Sequence, residues 1–211
     1  MTDFLVTGPR DAPATLLLAH GAGAAMDSPA MNAIAEALAE VGLGTVRFEF
    51  AYMAARRNGR RRPPPRAEML RAEYLGAVAA LGAGPPLLIG GKSMGGRVAS
   101  MIADGLYRDG RTAGLVCLGY PFHPPGKPDR PRTAHLEILE TPTLICQGTR
   151  DRFGTRAEIE GYALSPRIEF HWLEGGDHDF RSAKGAGHTV RDNLRATAGR
   201  VADWIGRARG G

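Results

Sequence analysis

The sequence predicts an α/β fold: one mostly parallel sheet of about six to seven strands with helices on both faces. Three observations predict it. Short apolar runs alternate along the chain with stretches whose apolar residues recur at helical spacing. No internal repeat, linker or break in composition divides the chain, so residues 1–211 read as a single domain, long enough for one sizeable core. A glycine-rich turn, Gly91-Lys92-Ser93-Met94-Gly95-Gly96, stands between an apolar run and a helical stretch.

In order, TLLLA (15–19) reads as a buried strand. Ser28 as N-cap and Pro29 in the first turn open a helix whose Met31, Ile34, Leu38 and Val41 face the sheet, and Gly42 and Gly44 end it. TVRFEF (45–50) is the next strand. Pro63, Pro64 and Pro65 cannot stand inside a helix, so the segment 51–66 reads as a loop or stiff lid element. Leu70, Tyr74, Val78 and Leu81 mark a helix. LLIG (87–90) is a strand, and the helix after the turn runs through about Tyr107. GLVCLG (114–119) and TLICQG (143–148) are strands separated by the irregular YPFHPPGKPDRPR (120–132). A helix near 155–163, the strand RIEFHWLEG (167–175) and a last helix carrying Val190, Leu194, Val201 and Ile205 complete the series. Phe4–Thr7 is a weakly signalled N-terminal strand.

At 43% hydrophobic residues the chain has an ordinary soluble composition, and no apolar run approaches the ~20 residues needed to cross a bilayer. The N-terminal MTDFLVTGPR has neither a basic head nor a long apolar stretch, so the expectation is a cytoplasmic protein without a signal peptide. Cys117 and Cys146 fall in apolar strands without a Cys-x-x-Cys pattern and read as reduced core thiols rather than metal ligands. The net charge of +5 comes almost wholly from arginine, with lysine only at Lys92, Lys127 and Lys184. Arg56, Arg57, Arg60, Arg61, Arg62 and Arg66 crowd one segment, which reads as a solvated loop or as a surface that recruits an anion. The run lacks interleaved aromatic residues and no nucleic-acid-binding motif is present, which argues against nucleic acid as the main partner.

The sharpest motif is Gly91-Lys92-Ser93-Met94-Gly95. A Gly-x-Ser-x-Gly between strand and helix holds a hydroxyl at the tip of a strained turn, with glycines where side chains would collide and a helix N-terminus beneath for developing negative charge. A phosphate-binding loop needs a glycine where Pro86 stands, so that pattern fails. A serine that merely caps the helix is the bland alternative. A nucleophilic serine needs a base and the base an orienting acid. Asp151 follows TLICQG and His178 follows the last strand, so both leave the same sheet edge as Ser93. His171 lies inside a strand, His188 precedes the last helix, and His123 and His135 fall in a preceding loop. Asp177 and Asp179 flank His178 too closely to orient its ring and suit turn formation, while Asp104 and Asp109 belong to the helix after Ser93. Two N–H donors for an oxyanion are expected from Met94 and from the loop His20-Gly21-Ala22-Gly23-Ala24, at Ala22 with Gly23 close behind. His20 reads as structural. Tyr52, Tyr120 and Phe122 are candidate apolar walls for substrate, with core packing as the alternative. No metal site or cofactor is expected.

HGAGA, GGKSMGGR, GYPFHPPGKP, CQGTRD-x-FG and GGDHDF resemble the α/β-hydrolase-like family related to testis-expressed hydrolase-like proteins, a resemblance that covers the chain roughly from Leu16 to Trp204. The subunit-three proteins of a histone acetyltransferase (NSL) complex are more distant relatives and dienelactone-hydrolase-like enzymes wider ones. The resemblance implies the α/β-hydrolase fold and a triad at Ser93, Asp151 and His178; with 211 residues the chain is short for a catalytic domain plus a large cap domain, so a single domain without one is expected. Dienelactone hydrolases proper use cysteine as nucleophile, whereas this chain has serine. The expected function is acyl transfer from a small ester, thioester or similar substrate to water. The alternative is a non-catalytic binding or scaffold protein that keeps the fold.

Overall fold

The computed structural model describes residues 3–60, 62–82, 84, 86–183 and 185–210; Arg61 and Lys184 lie outside the described residues. Seven strands form one sheet: β1 (Leu5–Thr7), β2 (Thr15–Ala19), β3 (Gly44–Phe48), β4 (Leu87–Lys92), β5 (Gly114–Leu118), β6 (Thr143–Gly148) and β7 (Ile168–Leu173), in the order β1-β3-β2-β4-β5-β6-β7. Only β1 runs antiparallel, against β3; every other pair is parallel. The helices are α1 (Pro29–Glu40), α2 (Ala51–Arg57), α3 (Arg71–Leu81), α4 (Met94–Ser100), α5 (Ala103–Arg108), α6 (Arg156–Ile159) and α7 (Val190–Gly210).

Side chains alternate between the faces of each strand. Leu16 and Leu18 of β2 therefore join Leu88, Val116 and Leu144 under α1 and α7, where Met31, Ile34, Leu38, Val201, Trp204 and Ile205 are buried. Leu17, Ile89, Leu115 and Ile145 face the other way, against Tyr74 and Val78 of α3, Val98 of α4 and Leu106 of α5. Cys117 and Cys146 are buried free thiols, and burial raises both above the ordinary thiol range, Cys146 to about 12.

Some elements differ from expectation. The segment 51–66 begins as a helix, because Tyr52 and Met53 turn inward and Glu73 caps the Ala51 N–H at 2.7 Å; its described residues after Arg57 are irregular as far as a 3-10 turn at Ala67–Leu70. The helix after Ser93 breaks at Met101–Ile102 into α4 and α5. The helix near 155–163 shrinks to α6, opened by a reciprocal capping box between Thr155 and Glu158. Val41 is the C-cap of α1 and is 38% exposed rather than core.

Candidate active site

The order of the strands places the site. The chain leaves β2 for β3 on one side and returns to β4 on the other, so a crevice opens beyond the carboxyl ends of β2 and β4, where ligands bind in open α/β sheets. Ala19 pairs with Gly91, which sets the loop after β2 beside the turn after β4.

Ser93 occupies that turn with φ 53° and ψ −117°, a left-handed backbone held by a residue that carries a side chain. Its N–H donates to Leu118 O at 3.0 Å and its carbonyl accepts from Arg97 N at 3.1 Å. The turn closes because Gly91 has no side chain: a Cβ there would strike the backbone of Gly95, Gly96 and Ala19.

His178 Nε2 lies 2.8 Å from Ser93 Oγ, and its Nδ1 lies 2.7 Å from Asp151 Oδ2. Nδ1–H therefore donates to the carboxylate and Nε2 accepts the serine proton, the tautomer this network requires. Asp151 is wholly buried. Its carboxylate also accepts from Gln147 Nε2 at 3.0 Å and from Phe153 N at 2.9 Å. Gln147 is itself tied to Tyr120 N at 2.7 Å through its own carbonyl oxygen. A buried, multiply hydrogen-bonded carboxylate is a fixed acceptor for the imidazole.

The loop carrying His178 is braced from several sides. Asp177 Oδ1 accepts from the N–H groups of Asp179 and Arg181, the turn-forming role expected of it. Phe180 is buried with φ 64°, and Asn193 donates to its carbonyl at 2.8 Å. Lys92, the residue before the serine, donates from Nζ to the His178 carbonyl at 2.7 Å, lies over the Phe180 ring and is 3.8 Å from Asp179. Burial pulls its pKa below the ordinary lysine value, against the opposing pull of Asp179 and Asp151. Phe153 packs on the imidazole of His178 with ring centroids 4.2 Å apart.

A cleft of about 390 Å³ opens above Ser93, lined by Ala22, Met94, Pro121 and Phe153 and by the charged Arg66, Glu68, Arg97 and Arg132, with Pro65 and Ala67 completing it. Ala22 and Met94 line the cleft together with Ser93, whereas Gly23 is exposed and not part of the lining. The expected apolar walls are corrected. Tyr120 and Phe122 are fully buried. Tyr120 OH joins Ser100 and His135, and Phe122 stacks among Tyr120, Tyr162 and Phe170, so Pro121 between them faces the cleft instead. Tyr52 is buried too; its hydroxyl donates toward Ala22 O at 3.1 Å and braces the loop rather than walling the pocket.

Other histidines are held away from Ser93 by partners of their own or by packing in the sheet. His20 Nδ1–H donates to Gly21 O and Nε2 accepts from Phe50 N, with its pKa lowered chiefly by burial. His123 bonds Pro124 O and Glu158. His171 sits in β7, lowered by burial and then by Arg200. Of the arginine-rich segment, Arg57 pairs with Asp27 and Glu49, Arg56 lies over Tyr52, and Arg66 reaches the cleft.

A mostly parallel sheet with a serine on a strained strand-to-helix turn at its carboxyl edge defines an α/β hydrolase by fold. Residues 12–206 match the family described as Alpha/beta hydrolase domain, and the chain belongs to that family. Among solved structures, it is similar to a dienelactone hydrolase from Anabaena variabilis (TM-score 0.72, 22% identity, covering 98% of this chain and 91% of that one). It is also similar to an α/β serine hydrolase without a lid from Xanthomonas campestris (TM-score 0.67, 16% identity, 98% and 88% covered). An α/β serine hydrolase homologue from Coxiella burnetii matches with TM-score 0.64 at 21% identity, covering 96% and 90%. At these identities the likeness is one of fold. No helix among the described residues is long and apolar enough to cross a membrane.

Proposed function

We propose that this chain is a carboxylesterase-like serine hydrolase that works through an acyl-enzyme on a small ester, thioester or similar acyl substrate. The observation that carries the reading is the unbroken hydrogen-bonded line from Ser93 Oγ through His178 to the buried Asp151, at 2.8 and 2.7 Å, opening on a cleft. Ser93 Oγ attacks the substrate carbonyl while His178 Nε2 takes its proton and Asp151 steadies the imidazolium. The N–H groups of Met94, at the start of α4, and of Ala22 hold the oxyanion. The bond to the leaving alcohol or thiol then breaks, and His178 returns its proton to that group. Water, deprotonated by His178, attacks the acyl-enzyme, the acid leaves, and Ser93 recovers its hydrogen. The open cleft and the likeness to a serine hydrolase described as lacking a lid support a small, directly accessible substrate.

Ser93→Ala is expected to abolish labelling by a fluorophosphonate probe and to reduce p-nitrophenyl acetate turnover by roughly 10³-fold or more. Labelling that survives the substitution refutes the assignment.

A further inference from the structure

Charge in the cleft is one-sided. Three arginines, Arg66, Arg97 and Arg132, line it together with one acid, Glu68. That carboxylate is already engaged by Arg97 Nη2 at 2.6 Å. Arg97 stands one turn after Ser93 on α4, and helical side chains lean toward the N-terminus, so its charge is carried back toward the serine. Arg132 is anchored by its own N–H on Phe122 O. Its guanidinium, half-buried, has no ion pair or hydrogen bond with any described residue. Burial and then the neighbouring Arg97 charge pull its pKa below the ordinary arginine value. Beneath the pair, His135 bonds Ser100 at 2.8 Å and is pushed down to about 4 by burial and then by Arg97, so it is neutral near pH 7. The nearby Asp104 is spent on the N–H groups of Glu140 and Thr141.

Like charges held together and partly out of water are costly unless an anion completes them. The guanidinium fork matches a carboxylate in shape and charge. Met94, Pro121 and Phe153 line the same cleft and supply apolar surface for a short chain. We propose that Arg97 and Arg132, with Arg66 at the rim, form an anion subsite beside Ser93, and that the substrate is an acyl ester or thioester whose acyl part ends in a carboxylate. The proposal rests on the serine-hydrolase reading and narrows its substrate class.

The test compares monoethyl adipate with the neutral monoamide of the same ester, which differ only in charge at the far end. Wild-type kcat/KM is expected to favour the anionic half-ester by about tenfold or more, a preference that fades as salt is raised. Arg132→Gln is expected to lower kcat/KM for the half-ester roughly tenfold more than for the amide, and Arg132→Lys to recover part of the difference. Equal wild-type turnover of the two esters, with both dependent on Ser93, overturns the subsite and leaves the hydrolase reading intact. So does an Arg132→Gln variant that loses both activities alike. If neither ester is turned over and no fluorophosphonate label appears, the hydrolase reading fails by itself. The subsite is then judged by calorimetry on Ser93→Ala protein: adipate binding that adipamide does not match and that Arg132→Gln removes supports it, and no adipate binding overturns it.

Discussion

Lys92 links the turn that carries Ser93 to the loop that carries His178. It follows the last glycine of β4, yet its ammonium reaches the backbone carbonyl of His178 and so fixes the loop that presents the imidazole. Replacing it with methionine keeps the apolar stem and removes the donor, leaving a part-buried carbonyl without that partner. Lys92→Met is expected to cost about 1–3 kcal/mol in urea unfolding. It is also expected to lower kcat for a neutral ester by about tenfold while KM moves less, since a small displacement of the base weakens proton transfer more than binding. Unchanged kcat in a protein of lowered stability contradicts the positioning role. At this scale Ser93, Asp151 and His178 were legible because each ends or follows a strongly apolar strand. Gln147 and Phe153 were not, although both lie in the run CQGTRD-x-FG: nothing in a buried strand glutamine or a loop phenylalanine signals its contact with Asp151 or with the imidazole.

Among the elements, the turn between β4 and α4 admits little change. Its shape depends on Gly91, where any Cβ would press on backbone atoms of α4 and β2 rather than on a movable side chain. Gly91→Ala is therefore expected to destabilise by about 3 kcal/mol or more, lowering Tm by roughly 6–12 °C for a chain of this size. A melting curve like that of the parent contradicts a tight elbow. The inner strands β2 to β6 are legible in the sequence because burial on both faces makes them short, continuous apolar runs. Helix ends were read less well. The tertiary contacts of Tyr52 and Met53 fold the start of the arginine-rich segment into α2, and apolar spacing continues across the break between α4 and α5. The cleft walls were misassigned for the same reason: an aromatic residue in a loop can turn to core or cleft, and Tyr120 and Phe122 find a hydroxyl–histidine cluster and a stack of rings in the core.

A pH dependence of stability is expected of the whole molecule from its wholly or partly buried imidazoles. His20, His135 and His171 all hold pKa values below the ordinary 6.5, chiefly through burial, with His135 down at about 4. As pH falls below 6.5 the unfolded chain binds protons at these positions before the folded chain does, so their contribution is complete above 6.5 and is lost progressively toward 4. Scanning calorimetry from about pH 7.5 to about pH 5 is expected to record a falling Tm, with a shallower slope in His135→Gln. A flat profile, or a slope unchanged by that substitution, contradicts the assignment. The sheet order and the family match, over residues 12–206, belong to this scale as well, for this topology brings the ends of β4, β6 and β7 to one rim.

The central claim is that the His178 imidazole activates the Ser93 oxygen for attack. It is tested most directly by peptide mapping of a fluorophosphonate adduct together with the labelling rate of His178→Ala. The adduct is predicted on the peptide that contains Ser93, at a rate reduced by roughly 10³-fold or more without the imidazole; an adduct elsewhere, or a rate indifferent to His178, contradicts it.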